Sequence, residues 1–221
     1  MTTTTLLTCA NETSPRKAPY RYSQLFLRNE FACEGKWGIS LVRRQEIDLS
    51  HGVELIASSD TSSADTKNLN RGVHHFVDDP RFEDIYRHPE RTTPKYARYR
   101  FVITPNYSTF PEMPLWRQIE STGKSRWCGA YWQAQKLTVV PSISWGLHSS
   151  FEFCFAGIEQ ASTVAVSTVG CRLGRRAFMR GYDAMLERIN PEAIICLGDP
   201  FPEMRGGIFP VDYQASRRVA R

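Results

Sequence analysis

Five runs along the chain are apolar almost without a break and end on small polar or charged residues: 73–79, 101–108, 137–145, 163–170 and 193–199. Within them, Phe101-Val102-Ile103, Leu137-Thr138-Val139-Val140, Thr163-Val164-Ala165-Val166 and Ala193-Ile194-Ile195-Cys196-Leu197 lack the alternation of a half-exposed strand. Strands buried on both faces are what a parallel sheet covered by helices requires. The runs start roughly 30 residues apart, the length of a strand, a crossover helix and two turns. Helices are expected over 80–87, 92–98, 112–135, 150–156 and 172–189. In the last of these Phe178, Tyr182, Met185 and Ile189 make one buried stripe. Residues 37–42 and 53–57 have strand character, and 58–70 reads as a polar loop.

The pattern therefore predicts an α/β fold with a mostly parallel sheet of five or six strands flanked by helices. That sheet is either an open doubly wound one or a partly closed, barrel-like one. Residues 1–20, Thr-rich and then Pro-containing, read as a flexible arm; 21–210 form a single α/β domain, and 211–221 a basic tail. At 221 residues and 41% hydrophobic content the chain can bury one sizeable core. No apolar run reaches the length of a membrane span and no secretory leader is recognisable, so a cytoplasmic location without membrane partners is expected. The six cysteines lack Cys-x-x-Cys spacing and read as free thiols, several of them buried. A net charge of +5 favours an anionic partner.

In parallel α/β sheets ligands collect where the strands end. One such end, Ser167-Thr168-Val169-Gly170, runs into Arg172, Arg175 and Arg176 at the expected start of a helix. Unpaired N–H groups at a helix start favour anions, so Ser167, Thr168, Gly170, Arg172 and Arg176 form a candidate phosphate site. Arg172, Arg176 and Arg180 would share one helical face. Asp78, Asp79 and Asp199 close two other strands. If those strands are neighbours, Asp78 and Asp199 hold Mg²⁺ or Mn²⁺ through oxygen ligands. Asp79 before Pro80 also reads as a helix N-cap, and Ser149 with Glu152 as a capping box.

Thr104, Asn106, Ser108, Ser142 and Ser144 bring hydroxyls and an amide to the same edge, where they suit a polar or phosphorylated ligand. Trp127, Trp132 and Trp145 are candidate stacking surfaces for bases, although Trp127 at helical spacing equally suits core packing. Asp78, Ser144 and His148 are the candidate catalytic groups, His148 as an acid or base. No Gly-x-Ser-x-Gly elbow surrounds a serine and no Walker loop occurs.

Five segments carry a resemblance: Val-His-His-Phe-Val-Asp-Asp-Pro-Arg-Phe-Glu (73–83), Thr-Pro-Asn-Tyr-Ser (104–108), Arg-Trp-Cys-Gly-Ala-Tyr-Trp-Gln (126–133), Val-Pro-Ser-Ile-Ser-Trp (140–145) and Ser-Thr-Val-Ala-Val-Ser-Thr-Val-Gly (162–170). Together they resemble the family catalogued as domain of unknown function 4417, found largely in phages, plasmids and other mobile elements of bacteria. Asn106 stands where that family often has aspartate. The resemblance implies a mobile-element setting rather than a mechanism, with nucleic acid, a nucleotide or a host protein as expected partners. Three readings follow: a nucleic-acid or nucleotide binder, with or without metal-dependent phosphodiester chemistry; a non-catalytic protein capturing a host protein or a small signalling nucleotide; or a hydrolase or transferase for a small polar metabolite.

Overall fold

The computed structural model describes residues 23–219; the expected arm at 1–20 lies outside them. A short helix, α1 (Gln24–Leu27), leads into an antiparallel hairpin of β1 (Cys33–Glu34) and β2 (Ile39–Ser40). Strand β3 (Leu55–Ala57) then opens a series of parallel strands: β4 (Gly72–His74), β5 (Phe101–Ile103), β6 (Val139–Val140), β7 (Val164–Ser167), β8 (Ile194–Leu197) and β9 (Ile208–Val211). Helices α2 (Glu83–Arg87) and α3 (Pro89–Tyr96) join β4 to β5, α4 (Leu115–Ala134) joins β5 to β6, and α5 (Arg175–Ile189) joins β7 to β8. A short α6 (Tyr213–Ser216) follows β9.

The strands lie side by side in chain order, β3-β4-β5-β6 in one sheet and β7-β8-β9 in the next. A side-chain oxygen ends the first ladder. The β5–β6 ladder ends where Thr104 N–H bonds Val140 O, because the next N–H facing β5, that of Ser142, goes to Thr104 Oγ1; Pro141 faces β7 and has no N–H to add to the pairing there. The chain then turns to β7, where Ala165 N–H bonds Pro141 O and Ile143 N–H bonds Ala165 O. Seven parallel strands thus follow one another without reversal, one or two more than the sequence pattern predicts. The sequential order also rules out the doubly wound alternative, which needs a reversal.

Both faces of the sheet are apolar. Ile56, Val73, Val102 and Val139 face α2 to α4 in one core, and Val164, Val166, Ile194 and Cys196 face α5 in a second. Leu55, Phe101, Ile103, Val140, Ala165, Ile195, Leu197 and Val211 meet on the opposite, concave side. The sheet curls until its first strand and its last contribute to that one cluster, but no ladder joins β9 to β3 and it does not close. The stripe expected on α5 is buried as predicted, with Tyr182, Met185 and Ile189 fully enclosed.

One boundary differs from expectation. Order continues beyond residue 210: Asp212 caps α6 by accepting from Gln214 and Ala215 N–H, and Ser216 meets His74 at 3.0 Å. The polar loop at 58–70 is tied down by Asp65, which accepts from the backbone of Lys67 and Asn68 and from Tyr99 OH. The cysteines among the described residues, Cys33, Cys128, Cys154, Cys171 and Cys196, are free, and burial raises the thiol pKa of Cys128, Cys154 and Cys196. No helix among the described residues is long and apolar enough to cross a membrane.

Candidate functional site

The ends of β7, β8 and β9 frame a cleft of about 650 Å³, lined by Thr168, Gly170, Arg172, Asp199, Asp212 and Tyr213 among others. Glycines keep it open. Gly170 (φ +79°) and Gly198 (φ +93°) adopt left-handed turns, and a Cβ on Gly198 would lie 2.7 Å from Thr168 Oγ1. Thr168 donates its hydroxyl to Asp199 O at 2.9 Å, which joins the β7 and β8 turns. Ser167 sits in the same turn, but its hydroxyl donates to Leu197 O and accepts from Val169 N–H. Across the cleft mouth Arg172 pairs with Asp199 at 3.2 Å, both almost fully exposed.

Helix α5 begins at Arg175, with Gly174 as its N-cap, three residues later than the sequence pattern predicts. Arg172 therefore lies in the loop and does not share a helical face with Arg176 and Arg180. Those two border a separate open groove of about 720 Å³ with Arg175, Met179, Asp183 and Glu203. There Arg175 bonds Glu203 and holds its carboxyl below the usual range, and Arg205 pairs with Asp183 at 2.9 Å. Arg176 and Arg180 form no ion pair among the described residues.

The ends of β5 and β6 are closed by their own side chains. Thr104 Oγ1 lies 3.0 Å from Ser125 Oγ and from Ser142 Oγ, and it accepts from Ser142 N–H at 2.8 Å. Asn106, Ser142 and Ser144 line a small polar pocket beside buried Arg126. Ser108 is drawn the other way, giving its N–H and hydroxyl to the Asp79 carboxylate at 3.1 Å each. Asp79 is thus no N-cap: it is the first residue of the 3-10 turn Asp79–Arg81, and it fastens the β5 loop instead. Asp78 takes the N-cap position without a side-chain bond and lies 3.9 Å from Arg81, exposed.

The condition for a shared metal does not hold, because β5, β6 and β7 separate β4 from β8 in the strand order. Among the described residues, no three His, Cys, Asp or Glu side chains gather in a metal-binding group.

Two of the three tryptophans singled out as stacking surfaces are core. Trp132 is fully buried and stacks on His75 at 5.6 Å; Trp127 is buried between Phe31, Tyr86 and Tyr131, with the Arg28 guanidinium over its ring at 3.9 Å. Trp145 is half-buried on Phe178, with Gly181 so close that a Cβ would overlap its ring. His148 is exposed on the 3-10 turn His148–Glu152, beside Phe151. The expected capping box of Ser149 and Glu152 is absent there: Leu147 takes the N-cap position without a side-chain bond, and Glu152 pairs with Lys36.

Among the described residues the exposed aromatics are Phe26, Trp37, Phe110 and Trp116, and of these Phe110 and Trp116 lie in the β5–α4 segment, which the sequence pattern did not single out. Trp116 is the second residue of α4, whose N-cap is Pro114, with Arg117 over its ring at 5.4 Å. A tryptophan beside an arginine at a helix start was the available signal. Tyr213 and Asp212 were missed because they fell in the expected tail.

The family described as Domain of unknown function (DUF4417) matches residues 31–214. The chain belongs to that family. It is similar to the Gene 1 protein of Mycobacterium phage D29, with 36% identity over 129 residues, 57% of this chain and 48% of that protein. The Gene 1 protein of Mycobacterium phage L5 is likewise 36% identical over 129 residues, 56% of its length. The match thus spans about half the length of these curated relatives. No solved structure matches. The DUF4417 match covers all seven parallel strands, the cleft and the β5–β6 pocket.

Proposed function

We propose that this chain binds single-stranded nucleic acid across the strand-end side of its sheet. The observation that carries the reading is the make-up of that side. In a parallel α/β fold each crossover helix starts on the side where the strands end, so the β5–α4 and β7–α5 segments emerge together. They leave Phe110, Leu115, Trp116, Val169 and Leu173 exposed, interleaved with Arg117, Arg172 and Arg176. Aromatic faces beside arginines suit bases and phosphates without reading sequence. In this reading the cleft at Arg172 takes a phosphate, with the α5 start adding partial positive charge. Trp116 and Phe110 take bases.

A second reading, capture of a small nucleotide without chemistry, is favoured by the cleft's volume of about 650 Å³, within the range of single-ligand sites. A metal-assisted reaction would draw on Asp199 and loses Asp78 as its partner. Magnesium-dependent cleavage of a labelled oligonucleotide, abolished by chelator and by Asp199→Asn, is the result that would establish it.

The test is fluorescence anisotropy with labelled single- and double-stranded oligonucleotides and mononucleotides at two salt concentrations. Single strands should bind best and weaken with salt. Trp116→Ala should reduce affinity about tenfold, the scale of one stacked base, and Arg172→Gln/Arg176→Gln should make the salt dependence shallower. Saturable mononucleotide binding with no oligonucleotide binding selects the second reading. No binding of either at low salt overturns both.

A further inference from the structure

Arg126 projects from the middle of α4 and is buried to 2% exposure. Its Nε donates to Ala156 O at 3.2 Å, one terminal nitrogen to Ser142 O at 2.8 Å and Ser125 Oγ at 3.3 Å, and the other to Cys154 O at 2.9 Å. Those contacts use four of the five guanidinium N–H donors. They supply dipoles but no countercharge. Among the described residues no carboxylate lies within ion-pair distance. Glu34, whose charge reaches Arg126, spends its oxygens on Gly157 N–H at 2.7 Å and Arg188 at 3.1 Å. Burial lowers the Arg126 pKa to about 10, which leaves it a cation at neutral pH. A buried ion without a partner is unfavourable by several kcal/mol.

Beside this cation lies the β5–β6 pocket, about 10 Å³ in volume, room for one water-sized occupant. Thr109, Ser121 and Ser144 face it, and no hydrogen bond within the described chain occupies their hydroxyls. Asn106 adds an amide whose buried Oδ1 lacks a partner. A half-turn of that amide presents its NH₂ group instead.

We propose that this pocket holds one monovalent anion of halide size, with Arg126 supplying the countercharge and the surrounding hydroxyls and amide donating hydrogen bonds. A phosphate or sulfate exceeds the volume, and a water molecule fills the space without balancing the charge. The bound ion ties the ends of β5 and β6 to α4, so it acts through stability and is independent of nucleic-acid binding.

Melting curves in sodium chloride, bromide and gluconate at equal ionic strength, with crystals soaked in bromide, test the site. Chloride and bromide should raise the melting temperature saturably by several degrees over gluconate, and an anomalous bromide peak should fall beside Arg126. Arg126→Met removes bonds to three carbonyls and risks unfolding. Thr109→Val/Ser144→Val keeps those bonds and should abolish the halide effect in a folded protein. Equal melting in all three salts with no bromide peak, or a halide effect of the same size in Thr109→Val/Ser144→Val, overturns the proposal.

Discussion

The strands β3 to β6 and the strands β7 to β9 form adjoining parallel sheets joined by the bridge between Ser142 and Ala165, yet their ends are finished differently. At the first group, outside the small pocket beside Arg126, the polar side chains satisfy one another: His74 meets Ser216, Thr104 meets Ser125 and Ser142, and Asp79 holds Ser108. At the second group, glycine turns leave a cleft whose charged residues, Arg172 and Asp199, face solvent. Polar residues at a strand end therefore mark a ligand site only where the fold leaves them unsatisfied or exposed. Where they pair with each other they finish the core.

The aromatics sharpen that contrast most. Trp132→Ala empties space in a fully buried aromatic cluster and should destabilise by about 3–5 kcal/mol in urea denaturation. Trp116→Ala should leave the urea midpoint unchanged and lower only nucleic-acid affinity. Equal stability losses in both would erase the distinction between closed and open halves.

Acid should strike the closed half next. Burial pushes the pKa of both His74 and His75 down to about 3, from an ordinary value of 6.5. Between those values the unfolded chain binds protons that the folded chain refuses. Stability is therefore full above about pH 6.5 and falls as pH drops toward 3, with a slope approaching 1.4 kcal/mol per pH unit for each histidine at most, about the worth of one pKa unit. Urea midpoints measured at pH 7, 6, 5 and 4 check this. A flat profile would mean that these rings are solvated.

Smaller again is the fastening of the β5 loop. Asp79→Ala removes the acceptor for two hydrogen bonds from Ser108 and should lower stability by about 1–2 kcal/mol, whereas Asp78→Asn should leave it unchanged. Denaturation of the two variants side by side separates them. A loss at Asp78 instead would reverse their roles.

The smallest effect on folding is expected at the open cleft. The Arg172–Asp199 pair is exposed on both sides and worth little, so Arg172→Gln should shift the melting temperature by no more than about a degree. The same variant should flatten the salt dependence of binding by roughly one counterion. A marked loss of stability with unchanged binding would make Arg172 a structural residue and move the site elsewhere.

Much of the fold was legible because its signals are local. Continuous apolar runs mark strands buried on both faces, and the spacing of Phe178, Tyr182, Met185 and Ile189 marks the buried side of α5. Strand β9 escaped because Ile208-Phe209-Pro210-Val211 is short and carries a proline, which an edge strand tolerates. The site was legible only as a side of the sheet. Thr168, Gly170, Arg172 and Asp199 do meet in one cleft. Trp127 and Trp132 belong to the core, a difference in burial that composition does not carry.

By itself, then, the sequence determined where strands and helices form, that the sheet is parallel, and that its strand ends are polar, since each depends on residues close together along the chain. Only the tertiary structure decided that the strands follow in chain order and curl, that three of them part Asp78 from Asp199, that Asp79 reaches Ser108, and that Arg126 lies buried without a carboxylate. Those outcomes depend on contacts between segments far apart in sequence, and burial and pairing, which turn a polar residue into either a fastening or a site, exist only once such segments meet.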